Sequence, residues 1–147
     1  MSPSPGGSAR TILLILTAFV AVTAFLGGLA LTLGALVPSM ATVLSPPPDY
    51  LIGTPFTSYL LPGLALALVV GGSHAVAFML LLRRHPRADL LTSVAAFGVL
   101  IWIFIQMIYI PFSVLQAVYF AAGLAEVGLV MLRLGLLRAP ATEAQRI

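Results

Sequence analysis

Four carboxylates occur in this 147-residue chain, and only Glu126 lies inside a long apolar stretch. An ionisable side chain in hydrocarbon has no water to turn to, so it must face neighbouring helices and find a partner there. Glu126 precedes Arg133 by seven residues, about 10 Å along a helix that rises 1.5 Å per residue. His74 precedes Arg83 by nine residues, about 13 Å by the same rise. Thr17 follows Arg10 by seven. If the three stretches are helices of one bundle, Glu126, His74 and Thr17 form a polar cluster at one depth. Such a cluster has two readings. It binds a proton or cation, with Glu126 as the titrating group, or it is an interhelical hydrogen bond that fixes packing, and the second leads because most polar contacts between membrane helices are structural.

A second set of residues lies nearer the opposite side. Trp102, Gln106 and Tyr109 follow i, i+4, i+7 spacing on one helix face, while Gln116 and Tyr119 enter from the start of the next stretch. Together they are expected to line an outer pocket, since gaps between helices are a usual place for small molecules. Two simpler roles compete. Tyr109 has the character of an anchor at the headgroup level, and Ser113 with Gln116 fits a capping box, S-x-x-Q.

Familiar catalytic patterns are missing. Without cysteine there is no disulfide, no thiolate nucleophile and no cysteine-ligated cluster. The two histidines, His74 and His85, are not spaced for a metal, and there is no H-E-x-x-H and no Ser-His-Asp set. Gly27-Gly28 and Gly71-Gly72 lack the strand that precedes a phosphate loop and read as packing glycines. No catalytic residue, metal or cofactor is expected.

The elements that must position these residues follow from the composition. The chain is 61% hydrophobic and 7% charged, against about 25% charged residues in soluble domains, and its apolar residues fall in long blocks. The expected fold is all-α, an integral membrane bundle of four transmembrane helices over residues 11–137. Residues 1–10, rich in Ser, Pro and Gly, read as a disordered lead segment. Residues 11–33 carry no charge and are long enough to span hydrocarbon. Arg10 and Ser39-Met40-Ala41 imitate a secretory leader with its cleavage site, but the apolar run exceeds the 7 to 15 residues of a leader core, so a retained helix is expected.

Five prolines between Gly34 and Ser58 break the next segment into an outer loop, to which Tyr50, Phe56 and Tyr59 lend aromatic anchors. Helices are predicted over 61–82, 90–110 and 113–137, with Asp89 capping the third, and 138–147 as a solvated tail. On the second helix Gly63, Ala67, Gly71 and Ala75 recur every four residues, a row of small residues that lets backbones approach closely and turns His74 inward.

Orientation follows from the cations. All seven are arginine: Arg10, Arg83, Arg84, Arg87, Arg133, Arg138 and Arg146. Every one falls on the same side of a four-helix reading, so both termini are expected in the cytoplasm. Arginine used without lysine is the codon habit of a GC-rich genome, which points to a bacterial cytoplasmic membrane. The basic residues flank apolar blocks and form no stripe, so nucleic acid is not an expected partner.

Gly53-Thr54-Pro55-Phe56, Tyr59, Pro62-Gly63-Leu64, Trp102-Ile103 with Gln106, Leu115-Gln116 and Tyr119-Phe120 resemble a group of small bacterial four-helix membrane proteins without an established activity. The resemblance covers helices two to four. Its members carry an acid where this chain has Ser58 and a proline where it has Ala117, and what it implies is limited to fold and topology. The leading expectation for function is a non-enzymatic bundle, an accessory or packing partner of another membrane protein or a binder of a small lipophilic molecule, in contact with membrane lipid. The alternative is a small proton-coupled carrier using Glu126. Four-helix drug-proton exchangers are similar in relying on one membrane acid, but theirs lies in the first helix. A membrane enzyme ranks third.

Overall fold

The computed structural model describes residues 5–137, and every regular element among them is helical. In order these are α1 (Pro5–Leu36), the short α2 (Pro38–Leu44), one 3-10 turn (Pro48–Leu51), α3 (Leu60–Leu82), α4 (Ala88–Tyr109) and α5 (Val114–Arg133). Four of them, α1, α3, α4 and α5, are long and apolar enough to cross a membrane. Gly7, Arg10, Leu81, Arg84, His85, Ala88 and Arg133 line one cleft. The start of α1, the end of α3, the start of α4 and the end of α5 therefore meet at one end of the bundle, as an up-and-down arrangement requires. Outward-facing side chains such as Ile15, Leu68, Phe104 and Leu124 are large, apolar and exposed.

Several boundaries differ from the sequence reading, each for a local reason. Helix α1 starts at Pro5, inside the segment expected to be disordered. Proline suits a first turn, where N–H groups lack partners anyway, and Arg10 ties this turn to α3 by donating from Nε to the Leu81 carbonyl at 3.1 Å and from Nη2 to that of Leu82 at 3.2 Å. Residues 1–4 and the expected tail 138–147, with Arg138 and Arg146, lie outside the described residues. The outer segment is not all loop. Proline breaks α1 at Val37, but Pro38 then occupies the first turn of α2, and Tyr59 Oη donates to the Pro47 carbonyl at 2.7 Å, closing the segment that follows.

Helix α5 stops at Arg133, four residues short of 137. Gly135 has φ +74°, and the bonds Gly135 N–H to Leu132 O and Leu136 N–H to Met131 O make a Schellman cap that satisfies the last carbonyls. Asp89 does not cap α4. It lies within the first turn, and its carboxylate takes two bonds from Arg133, Nε to Oδ1 at 2.7 Å and Nη2 to Oδ2 at 3.4 Å. The predicted capping box at Ser113 and Gln116 is present with both of its bonds.

Helix α3 is continuous but not uniform, since Leu66–Gly71 form a π turn in which the Gly72 N–H reaches the Ala67 carbonyl. Its small face lies against α1. A Cβ on Gly28 would come within 2.5 Å of the Gly63 carbonyl and 2.7 Å of Ala67 Cβ, and one on Gly63 within 2.8 Å of the Gly28 carbonyl. Only hydrogen fits at this crossing, because the neighbouring atoms are backbone.

Two apolar clusters fill the interior. Val20, Ala24, Val70, Val99, Ile103 and Ala122 form the one remote from the arginines; Leu13, Leu81, Ala88 and Val130 form the one beside them. Between the two, each long helix contributes one fully buried polar residue: Thr17, His74, Thr92 and Glu126.

Candidate functional site

Within that buried layer, His74 Nε2 lies 3.2 Å from Glu126 Oε2, and both side chains are wholly inaccessible to solvent. The other ring nitrogen, Nδ1, is 2.8 Å from the Val70 carbonyl. A carbonyl can only accept, so Nδ1 carries a proton. The contact between Nε2 and Oε2 therefore holds one further proton in either of its forms: imidazolium with carboxylate, or neutral imidazole accepting from a carboxylic acid. Glu126 Oε1 is buried without a partner among the described residues. In either form the two side chains share one proton across their contact.

Thr17 and Thr92 complete the layer without joining this bond. Thr17 Oγ1 donates to the Leu13 carbonyl at 2.7 Å, and Thr92 Oγ1 to that of Ala88 at 2.8 Å, the back-bonding by which helical threonines satisfy themselves. Of the three residues expected to cluster, the structure joins His74 with Glu126 and leaves Thr17 bonded to its own helix. Thr92 escaped the sequence reading because a threonine in an apolar helix carries no mark of the face it takes.

Toward the opposite end, a cavity of about 480 Å³ opens between the helices. Trp102, Gln106, Gln116 and Tyr119 line it together with Val70, Val99 and Ile103. Tyr109 does not, although its spacing from Trp102 puts it on the same face. It is the last residue of α4, the chain leaves the helix there, and its ring is exposed. The end of the short α2 and the two residues after it supply a wall that spacing arguments missed, with Val43, Leu44, Ser45 and Pro46 among the lining residues.

The polar atoms of this lining are unusual. Trp102 Nε1, Gln116 Nε2 and Ser45 Oγ are buried and have no hydrogen-bond partner among the described residues. The capping box explains how Gln116 is presented: Oε1 accepts from the Ser113 N–H at 2.9 Å, which fixes the amide and leaves Nε2 as an unused donor. Tyr119 is held by stacking on Phe19, with ring centroids 5.8 Å apart. An indole N–H and an amide NH2 can only donate, so both stand at this chamber as donors without a hydrogen-bonded acceptor among the described residues.

Among the described residues no group of His, Asp or Glu converges as a metal site would require. No family model matches the chain, and no match was found among curated proteins or solved structures. The resemblance to small bacterial four-helix membrane proteins thus stands on its quoted residues alone.

Proposed function

We propose that this chain is a multi-pass protein of a bacterial cytoplasmic membrane, with both termini in the cytoplasm, that binds a small lipophilic molecule bearing hydrogen-bond acceptors. The exposed apolar exterior and the arginines gathered at one end support the placement. The carrying observation for function is the cavity with its three unpartnered polar atoms. Buried polar groups are nearly always paired, and a native exception calls for an explanation. Here a ketone, ester or quinone oxygen would provide it, seated among Val70, Val99 and Ile103 with Trp102 and Gln116 donating.

Trp102 is the only tryptophan, so its fluorescence reports on this cavity alone. Titration of the purified protein in detergent with 2-undecanone should change the emission saturably, whereas undecane, of equal length but without an acceptor, should not. Equal responses to both would remove the hydrogen-bonding role, and no response to either would remove the ligand.

The contact between His74 and Glu126 favours a second reading, a small proton-coupled carrier in which the shared proton moves with substrate. Glu126→Gln separates the two. It keeps a donor for His74 Nε2 while removing ionisation, so a binder retains its affinity for 2-undecanone at every pH and a carrier loses proton-driven uptake in vesicles.

A further inference from the structure

The cleft at the arginine end is chemically the reverse of the outer cavity. About 410 Å³ in volume, it is lined by Arg10, Arg84, His85 and Arg133 with Gly7, Leu81 and Ala88, and among the described residues no carboxylate lines it. Two of its guanidinium groups are already fixed in place. Arg10 spends Nε and Nη2 on the Leu81 and Leu82 carbonyls, and Arg133 spends Nε and Nη2 on Asp89. An arginine has five N–H donors, so in each the Nη1 edge is left over among the contacts of the described residues, on a side chain that no longer has rotamer freedom to lose. His85 is oriented as well. Its Nδ1 accepts the Arg87 N–H at 3.1 Å, which puts its ring proton on Nε2 as a donor. Arg84, exposed in the connecting turn with φ +51°, adds a third guanidinium.

We infer that this cleft is a phosphate-binding site, held by Arg10, Arg84, His85 and Arg133 and suited to the phosphate of an anionic lipid headgroup or to a free phosphate. Among the described residues, three guanidinium groups against the carboxylate of Asp89 leave a positive excess, and guanidinium matches phosphate oxygens in pairs. Preorganised donors gain affinity because little side-chain order remains to be imposed. Basic clefts between helix ends at a membrane surface suit anionic headgroups.

The test is native mass spectrometry of the full chain in detergent, titrated with phosphatidylglycerol, with phosphatidylcholine and with inorganic phosphate. The wild type should retain one phosphatidylglycerol at concentrations that leave phosphatidylcholine unbound. Arg84→Gln should weaken that binding about tenfold, while Arg87→Gln, which removes an equal charge from the same linker but not from the cleft, should leave it within about twofold. Displacement of the lipid by millimolar inorganic phosphate would make the free anion the occupant, and its failure would make it the headgroup. Equal losses in the two variants, or no preference for phosphatidylglycerol, would overturn the site. Circular dichroism of both variants separates loss of the cleft from loss of fold.

Discussion

The two polar layers of this bundle differ in how far their side chains satisfy one another. In the layer nearer the arginines, His74, Glu126, Thr17 and Thr92 each make a hydrogen bond within the protein, and Glu126 Oε1 is the one buried polar atom of the four left over among the described residues. In the outer layer, Trp102, Gln116 and Ser45 each have a buried polar atom that finds none among the described residues. The difference lies in what separates the helices. Near the pair the helices are in contact and the polar atoms meet, whereas around Trp102 a cavity intervenes. Polar groups that close on one another hold a structure together; polar groups arranged around a space prepare it for something else.

The largest effect is expected where both layers depend on a single crossing. Gly28→Leu drives a side chain into the Gly63 carbonyl and Ala67, and with backbone unable to yield it should cost more than about 3 kcal/mol, seen as loss of a cooperative thermal transition in detergent. Gly72→Leu, at a position with open space around it, is the control; similar losses in both would mean that α1 and α3 do not cross as described.

Next come the paired residues. Glu126→Ala and His74→Ala should each destabilise by about 2 to 3 kcal/mol, since either leaves a buried polar group unpaired beside a new void. Glu126→Gln, which can still donate to His74 Nε2, should stay within about 1 kcal/mol of the wild type. A double-mutant cycle should return a coupling of about 1 kcal/mol, and a coupling near zero would break the comparison by showing that the inner groups do not meet.

For the outer layer the expectation is inverted. Trp102→Phe removes a donor that has no protein partner to lose, so stability should change by less than about 1 kcal/mol while affinity for 2-undecanone, read by calorimetry, falls about fivefold to tenfold. A large loss of stability would make Trp102 a structural residue like His74.

The smallest effect concerns the segment that closes the cavity end. Burial, with Tyr50 and Asp49 nearby, raises the Tyr59 phenol above its usual range, and this phenol donates to the Pro47 carbonyl. A raised value in the folded state means that the stabilisation is complete below the ordinary phenol range and is lost as pH rises through the higher folded value. The difference in thermal midpoint between wild type and Tyr59→Phe should therefore shrink only above about pH 10. A difference that shrinks at neutral pH would point to another group.

Four long apolar blocks and the placement of the arginines carried the helical architecture, because length and charge are properties of sequence that solvent enforces directly. Counting residues from Arg83 and Arg133 put His74 and Glu126 at one depth, and their side chains are 3.2 Å apart. Depth does not give direction, however. Thr17 shares that level and turns its hydroxyl to its own helix, and Tyr109 shares a face with Trp102 yet stands where the helix has ended. Asp89 satisfied a local capping rule, but Arg133, 44 residues away, offered a stronger charge-assisted pairing. Ser45 was illegible for a different reason: its place at the cavity depends on α2 folding back toward α1, which no pattern in a proline-rich segment encodes.

The π turn of α3 has a geometric consequence. In a regular α-helix, residues four apart advance by about 40° around the axis, so a row such as Gly63, Ala67, Gly71 spirals off any straight neighbour within two or three steps. A π turn takes more residues to complete each revolution, and placed at Leu66–Gly71 it cancels that drift. Gly63 and Ala67 abut Gly28, and Gly71 still abuts Phe25, so the small stripe runs parallel to α1 instead of winding away. The same phase correction decides where His74 emerges three residues later. Wound as a regular α-helix throughout, the same residues would carry His74 about 80° further around the axis, away from Glu126, with every side chain of the pair still present in the sequence.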